Sequence, residues 1–113
     1  MAIFLLKKSY QANNQKEIRF KDLWGSYGVF TTIKLFGKPG KLILFKSHIK
    51  GLIKSLKKYK IYSKNIETNI NHLIYSNINK NINYDHLFRI ALTKKFISIL
   101  LGSYLFNSLR IFL

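Results

Sequence analysis

The sequence predicts an α+β domain: a small antiparallel sheet with two helices packed on it. Three observations carry this expectation. Residues 28–45 read GVFTTIKLF, then GKPG, then KLILF: two runs of β-branched, aromatic and aliphatic residues broken by a glycine-proline-glycine turn. Two later stretches place apolar residues at helical spacing, Ile49, Leu52, Ile53 and Leu56 in one and Ile66, Ile70, Leu73 and Ile74 in the other. Finally, His86–Thr93 has the period of a strand, with Phe88, Ile90 and Leu92 on one face and Leu87, Arg89 and Ala91 on the other.

In chain order, Ile3–Leu6 is a first short strand, Ala12–Lys16 a polar turn and Glu17–Phe20 a second short strand. Lys21–Tyr27, with Gly25 in a bend, reads as irregular. Gly28–Phe36 is the clearest strand. Gly37–Gly40 ends it in an expected type II turn, Pro39 fixing the first φ and Gly40 supplying the positive second one, and Lys41–Phe45 returns as the hairpin partner. Ser47 suits the N-cap of a helix running to Lys58. Lys46, Lys50, Lys54 and Lys58 recur every four residues, where like charges repel by about 0.2–0.5 kcal/mol per pair. Gly51 costs about 1 kcal/mol more against alanine. Packing of the apolar stripe must therefore hold this helix. Ser63 or Asn65 opens the second helix, which reaches toward Ile78, and the low-complexity run Asn77–Asn83 is a loop.

The chain has 113 residues, enough for one domain, and 48% of them are hydrophobic, so it can bury a core. It has no cysteine, which excludes disulfides and thiolate chemistry, and His48, His72 and His86 lack metal-ligand spacing. Ala2–Leu6 is too short for a secretory signal, with Lys7 and Lys8 after it instead of before it, so the expected location is cytoplasmic. Phe96–Leu113 is 18 residues long and marginal as a membrane span, since it contains Gly102, Ser103, Asn107, Ser108 and Arg110. The formal net charge is +16, from 17 Lys and 3 Arg against 4 acidic residues. The joint abundance of Lys, Asn and Ile reads as drift from an AT-rich genome, because a dedicated phosphate reader draws more on the arginine fork.

The order of elements from Asp22 to Leu56 resembles the N-terminal domain of the fold-type IV, pyridoxal-phosphate-dependent enzymes, the class IV aminotransferases. That group includes branched-chain and D-amino acid aminotransferases and aminodeoxychorismate lyase. The residues that carry the resemblance are Val29–Phe30–Thr31–Thr32, similar to the family's VFET, VFEG or FTT, and His48–Ile49–Lys50–Gly51–Leu52, similar to its H-[LI]-x-R-L. Leu87–Phe88–Arg89 is similar to its later strand YIR. The resemblance covers about Ile18 to Thr93. It implies a domain over residues 1–95, leaving 96–113 as an apolar tail that does not match the family. The tail is apolar on every face and is expected to find no packing place, as after a truncation or frameshift.

The same resemblance implies three substrate-binding residues on one strand face or its neighbour: Phe30 as a pocket wall, Lys34 where relatives often carry arginine, and Arg89 as a basic residue of the later strand. The substrates would be an amino acid and a 2-oxo acid. In the complete enzyme, a homo-oligomer, pyridoxal phosphate would be held as a Schiff base by a lysine of the second domain. Two departures stand against activity of this chain alone. Gly51 occupies the place of the helix arginine that binds the cofactor phosphate, and Lys94 and Lys95 have no motif matching the Schiff-base lysine. No tight cofactor binding to this chain is expected, and transaminase and lyase remain equally open as subclass. Read one at a time, Phe30 also fits a core residue, Lys34 a solvated one, Arg89 a partner for Asp85 or Glu17, and His48 a cap. The rival reading is a small basic module that binds RNA or an anionic membrane. It predicts that Lys46, Lys50, Lys54, Lys57 and Lys58 gather into one patch.

Overall fold

The computed structural model describes residues 4–23 and 28–103. Eight elements follow one another: β1 (Phe4–Gln11), β2 (Glu17–Ile18), β3 (Val29–Gly37), β4 (Lys41–Leu42), α1 (Phe45–Lys58), α2 (Ile66–Ser76), β5 (Tyr84–Leu92) and β6 (Phe96–Ser103). The strands make one six-stranded sheet in the order β2-β1-β6-β5-β3-β4, and every neighbouring pair is antiparallel. The fold is therefore α+β, a single sheet with two helices. Ile3, the bend at Gly25 and residues 104–113 lie outside the described residues.

Alternation along the strands divides the sheet into two faces. Leu35 of β3, Phe88, Ile90 and Leu92 of β5, and Ile97, Ile99 and Leu101 of β6 form one core with the helices. The stripe of α1 meets them through Ile49, Leu52 and Leu56, with Ile53 packed at the rim, and that of α2 through Ile66, Ile70, Leu73 and Ile74. Each helix buries the side its sequence period marks as apolar.

Several boundaries differ from the sequence expectation. The first strand runs on from the expected Leu6 to Gln11, through Lys7, Lys8 and Ser9, because its backbone pairs with β6 over Leu6–Gln11. Main-chain hydrogen bonds do not depend on side-chain polarity. Glu17–Ile18 is shorter than expected, and β5 begins two residues earlier, at Tyr84. The turn after β3 is not type II: the Lys38–Pro39 peptide is cis and the positive φ falls at Gly37, at 95°, instead of at Gly40. Gly40 is needed for space, since a Cβ there would stand 2.7 Å from the Tyr84 ring and 2.9 Å from Leu35. The hairpin partner ends at Leu42, and α1 starts at Phe45. Leu44, at φ 55°, occupies the N-cap without a side-chain bond, so Ser47 lies inside the first turn and is not the cap. Asn65 precedes α2, also without a side-chain cap bond, and α2 stops at Ser76 short of Ile78.

The largest correction concerns the presumed tail. Phe96–Ser103 is β6, a central strand paired with β1 on one side and β5 on the other. Ile97, Ile99 and Leu101 face the helices, while Ser98 and Leu100 are buried on the other face. A strand buried on both faces reads as a continuous apolar run, which is why this one looked like a tail or a membrane segment. The expected boundary at residue 95 falls inside the β5–β6 hairpin. No helix among the described residues is long and apolar enough to cross a membrane.

The run Asn77–Asn83 is a loop, as expected, yet Asn77 is buried in it. Its Nδ2 donates to the Leu73 carbonyl at 2.8 Å and to the Tyr10 hydroxyl at 3.0 Å, tying the end of α2 to β1.

Candidate functional site

On the sheet face away from the helices, β3 presents Phe30, Thr32, Lys34 and Phe36, and β5 presents Asp85, Leu87, Arg89 and Ala91. The register sets Phe30 beside Ala91, Thr32 beside Arg89, Lys34 beside Leu87 and Phe36 beside Asp85. Phe30, Lys34 and Arg89, distant in sequence, thus share one face of two adjacent strands.

Their environments differ. Arg89 is only 3% exposed; its Nε donates to Thr32 Oγ1 at 2.9 Å, and its guanidinium lies 5.7 Å from the Phe30 ring centroid. Phe30 is 55% exposed, so its ring stands on the open surface above a buried cation. A cation over an aromatic face is attracted by the ring quadrupole, which favours holding the two together. Lys34 binds the carboxylate of Asp85 at 2.5 Å and lies 5.7 Å from the centroid of Phe36, itself 54% exposed. Lys34 is therefore the residue that takes Asp85, a partner the sequence had offered to Arg89, while Glu17 reaches Lys8 at 3.9 Å. Of the one-at-a-time readings, Phe30 is not a core residue, and Arg89 is held in part by a hydroxyl. Thr32 and Asp85 belong to the arrangement although the resemblance did not name them as substrate-binding residues. Their signal was present: Thr32 shares the strand face of Phe30 and Lys34.

A second hollow, of about 1020 Å³, lies at the end of the β5–β6 hairpin, where Lys21, Tyr59, Thr93, Lys94 and Lys95 border it. Gly28 opens onto it, and a Cβ at that position would meet the Leu92 carbonyl oxygen at 2.3 Å. Ser98 Oγ donates to the Lys21 carbonyl at 2.6 Å and Lys21 N–H donates to Ser9 Oγ at 2.8 Å, which fastens the segment before it to the sheet.

His48 is not a cap; its Nδ1 lies 3.3 Å from Thr31 Oγ1. Burial lowers the His86 imidazole from its ordinary 6.5; the Asp85 carboxylate opposes that shift and the Lys34 ammonium reinforces it. Below 6.5 the unfolded chain binds this proton more readily than the folded one does, so stability rises with pH there. Thermal unfolding should accordingly show a Tm that falls as the pH drops below 6.5 and levels off below the depressed folded value. In His86→Gln that increment should vanish; an unchanged pH profile would remove His86 as its source. Among the described residues no three His, Asp or Glu side chains gather as a metal site.

Gly51, which the resemblance set in the place of a phosphate-binding arginine, has no side-chain donor for an anion. Gly51 is exposed on α1, with nothing within 4 Å of a Cβ built there, and the helix layer lies across the sheet from Phe30, Lys34 and Arg89. These residues do not fit the phosphate of pyridoxal phosphate. Comparison with protein-family models, with curated proteins and with solved structures finds no match to this chain.

Proposed function

We propose that this domain resembles the N-terminal half of a class IV aminotransferase in its role as well as its sequence motifs: it forms the wall of a pocket for an amino acid and its 2-oxo acid. The observation that supports this most is the convergence of Phe30, Lys34 and Arg89 on the sheet face opposite the helices, at the β3 side where Phe30 and Phe36 are exposed. In such a pocket the exposed Phe30 ring contacts the substrate's apolar side chain. Lys34 receives the substrate carboxylate, and the buried charge of Arg89 raises the positive potential beneath it. Asp85 holds Lys34 in place without substrate and competes with the incoming carboxylate. On this reading the Schiff-base lysine and the phosphate site of the cofactor are supplied from outside the residues described.

Titration of the 113-residue chain with 4-methyl-2-oxopentanoate, followed by backbone amide NMR shifts, tests the reading. Saturable shifts are expected at Phe30, Thr32, Lys34 and Arg89. Lys34→Met should abolish them, and Asp85→Asn should tighten binding severalfold by removing the competing carboxylate. Shifts elsewhere, or binding indifferent to Lys34, would refute the proposal. Added pyridoxal phosphate should show no saturable one-to-one binding.

A further inference from the structure

We infer that the groove between α1 and α2 binds single-stranded nucleic acid. This goes beyond the pocket wall and uses the opposite side of the molecule. The groove has a volume of about 740 Å³, and Lys46, Lys50, Lys54 and Lys57 line it together with Phe45 and Tyr75. All four lysines are exposed.

Their placement is not that of a uniformly basic surface. Helical geometry puts these four lysines on the flank of α1 beside α2, while the opposite flank carries Ser47, His48, Gly51 and Ser55. Lys57 Nζ lies 4.8 Å from the Tyr62 ring centroid, and Lys58, the fifth lysine of the expected patch, is not among the groove's lining residues and lies 5.5 Å from the Tyr59 centroid. Lys46, Lys50 and Lys54 recur about 6 Å apart along the helix axis, from the helical rise. That row suits the successive phosphates of an extended strand. Glu67 also lines the groove and leaves it strongly cationic.

The aromatic and amide groups decide between polyanions. Tyr75 is 59% exposed and meets Phe45 edge-on, with ring centroids 5.8 Å apart, which offers an unpaired base a stacking surface. Asn71 also lines the groove and brings a side-chain amide to it. A lipid bilayer offers no stacking face, and the apolar stripe of α1 is spent on the sheet, with Ile49, Leu52 and Leu56 buried, so it cannot enter a membrane. A duplex keeps its bases stacked within the helix and presents none to Tyr75.

Fluorescence anisotropy with a labelled oligouridylate and the intact 113-residue chain tests the inference. Binding should weaken with salt, and each phosphate contact should contribute about −0.7 to the log–log slope. Lys50→Gln with Lys54→Gln should lower affinity at least tenfold and reduce the slope by about 1.4. The equal charge change Lys94→Gln with Lys95→Gln should leave the groove's binding intact. Tyr75→Leu should weaken oligouridylate binding about tenfold. Equal losses in the two lysine pairs would show a diffuse field and overturn the assignment. So would tighter binding to phosphatidylglycerol vesicles, or to a duplex, than to the single strand.

Discussion

Ile99→Asp is expected to leave the chain largely unfolded under conditions where the parent is folded. Ile99 is fully buried in β6, between β1 and β5 and against the helices. A carboxylate there would be desolvated in the core; its cross-strand neighbour Lys8 is partly exposed and already turned to Glu17, and the change should cost on the order of 5 kcal/mol. Single domains hold only about 5–15 kcal/mol in total. Leu5→Asp is the matched control: Leu5 is 49% exposed on β1, and the same change there should be far milder. Urea unfolding followed by circular dichroism measures both. A native-like midpoint for Ile99→Asp would mean that Phe96–Ser103 is not part of the sheet, and the domain would then end before it.

The second large effect falls on Phe88. It is fully buried on the helix face of β5, and Phe88→Ala should cost about 3–5 kcal/mol, transfer and cavity terms together. Phe30 stands on the neighbouring strand but on the other face, more than half exposed, and Phe30→Ala should cost well under half as much. The pair tests the division of the sheet into a helix face and a second face on which Phe30 is exposed. If the two costs were equal or reversed, Phe30 would not be available to a substrate, and the pocket-wall proposal would fail with it.

The lysine arrangement on α1 shows how composition can hide a pattern. A charge of +16 on 113 residues invites explanation by genome bias, and most lysines need no other. Those at positions 46, 50, 54 and 57 acquire meaning only when α2 lies beside them and brings Asn71 and Tyr75 to the same groove. The converse holds at Arg89. A basic residue between Leu87 and Ala91 offered itself as a partner for Asp85 or Glu17, yet it is buried and donates to Thr32, 57 residues away.

What the sequence by itself determined is the local layer of this protein. Periodicity of two marked β3 and β5, and periodicity near 3.6 marked α1 and α2 together with the sides they bury, because apolar spacing records which side of an element leaves water. It also placed Phe30, Thr32 and Lys34 on one strand face. Tertiary structure alone decided the rest. The order β2-β1-β6-β5-β3-β4 rests on backbone hydrogen bonds between segments far apart in the chain, and those bonds carry no side-chain signature. For that reason Lys7, Lys8 and Ser9 could belong to a strand, and a continuous apolar run could become the strand that joins β1 to β5.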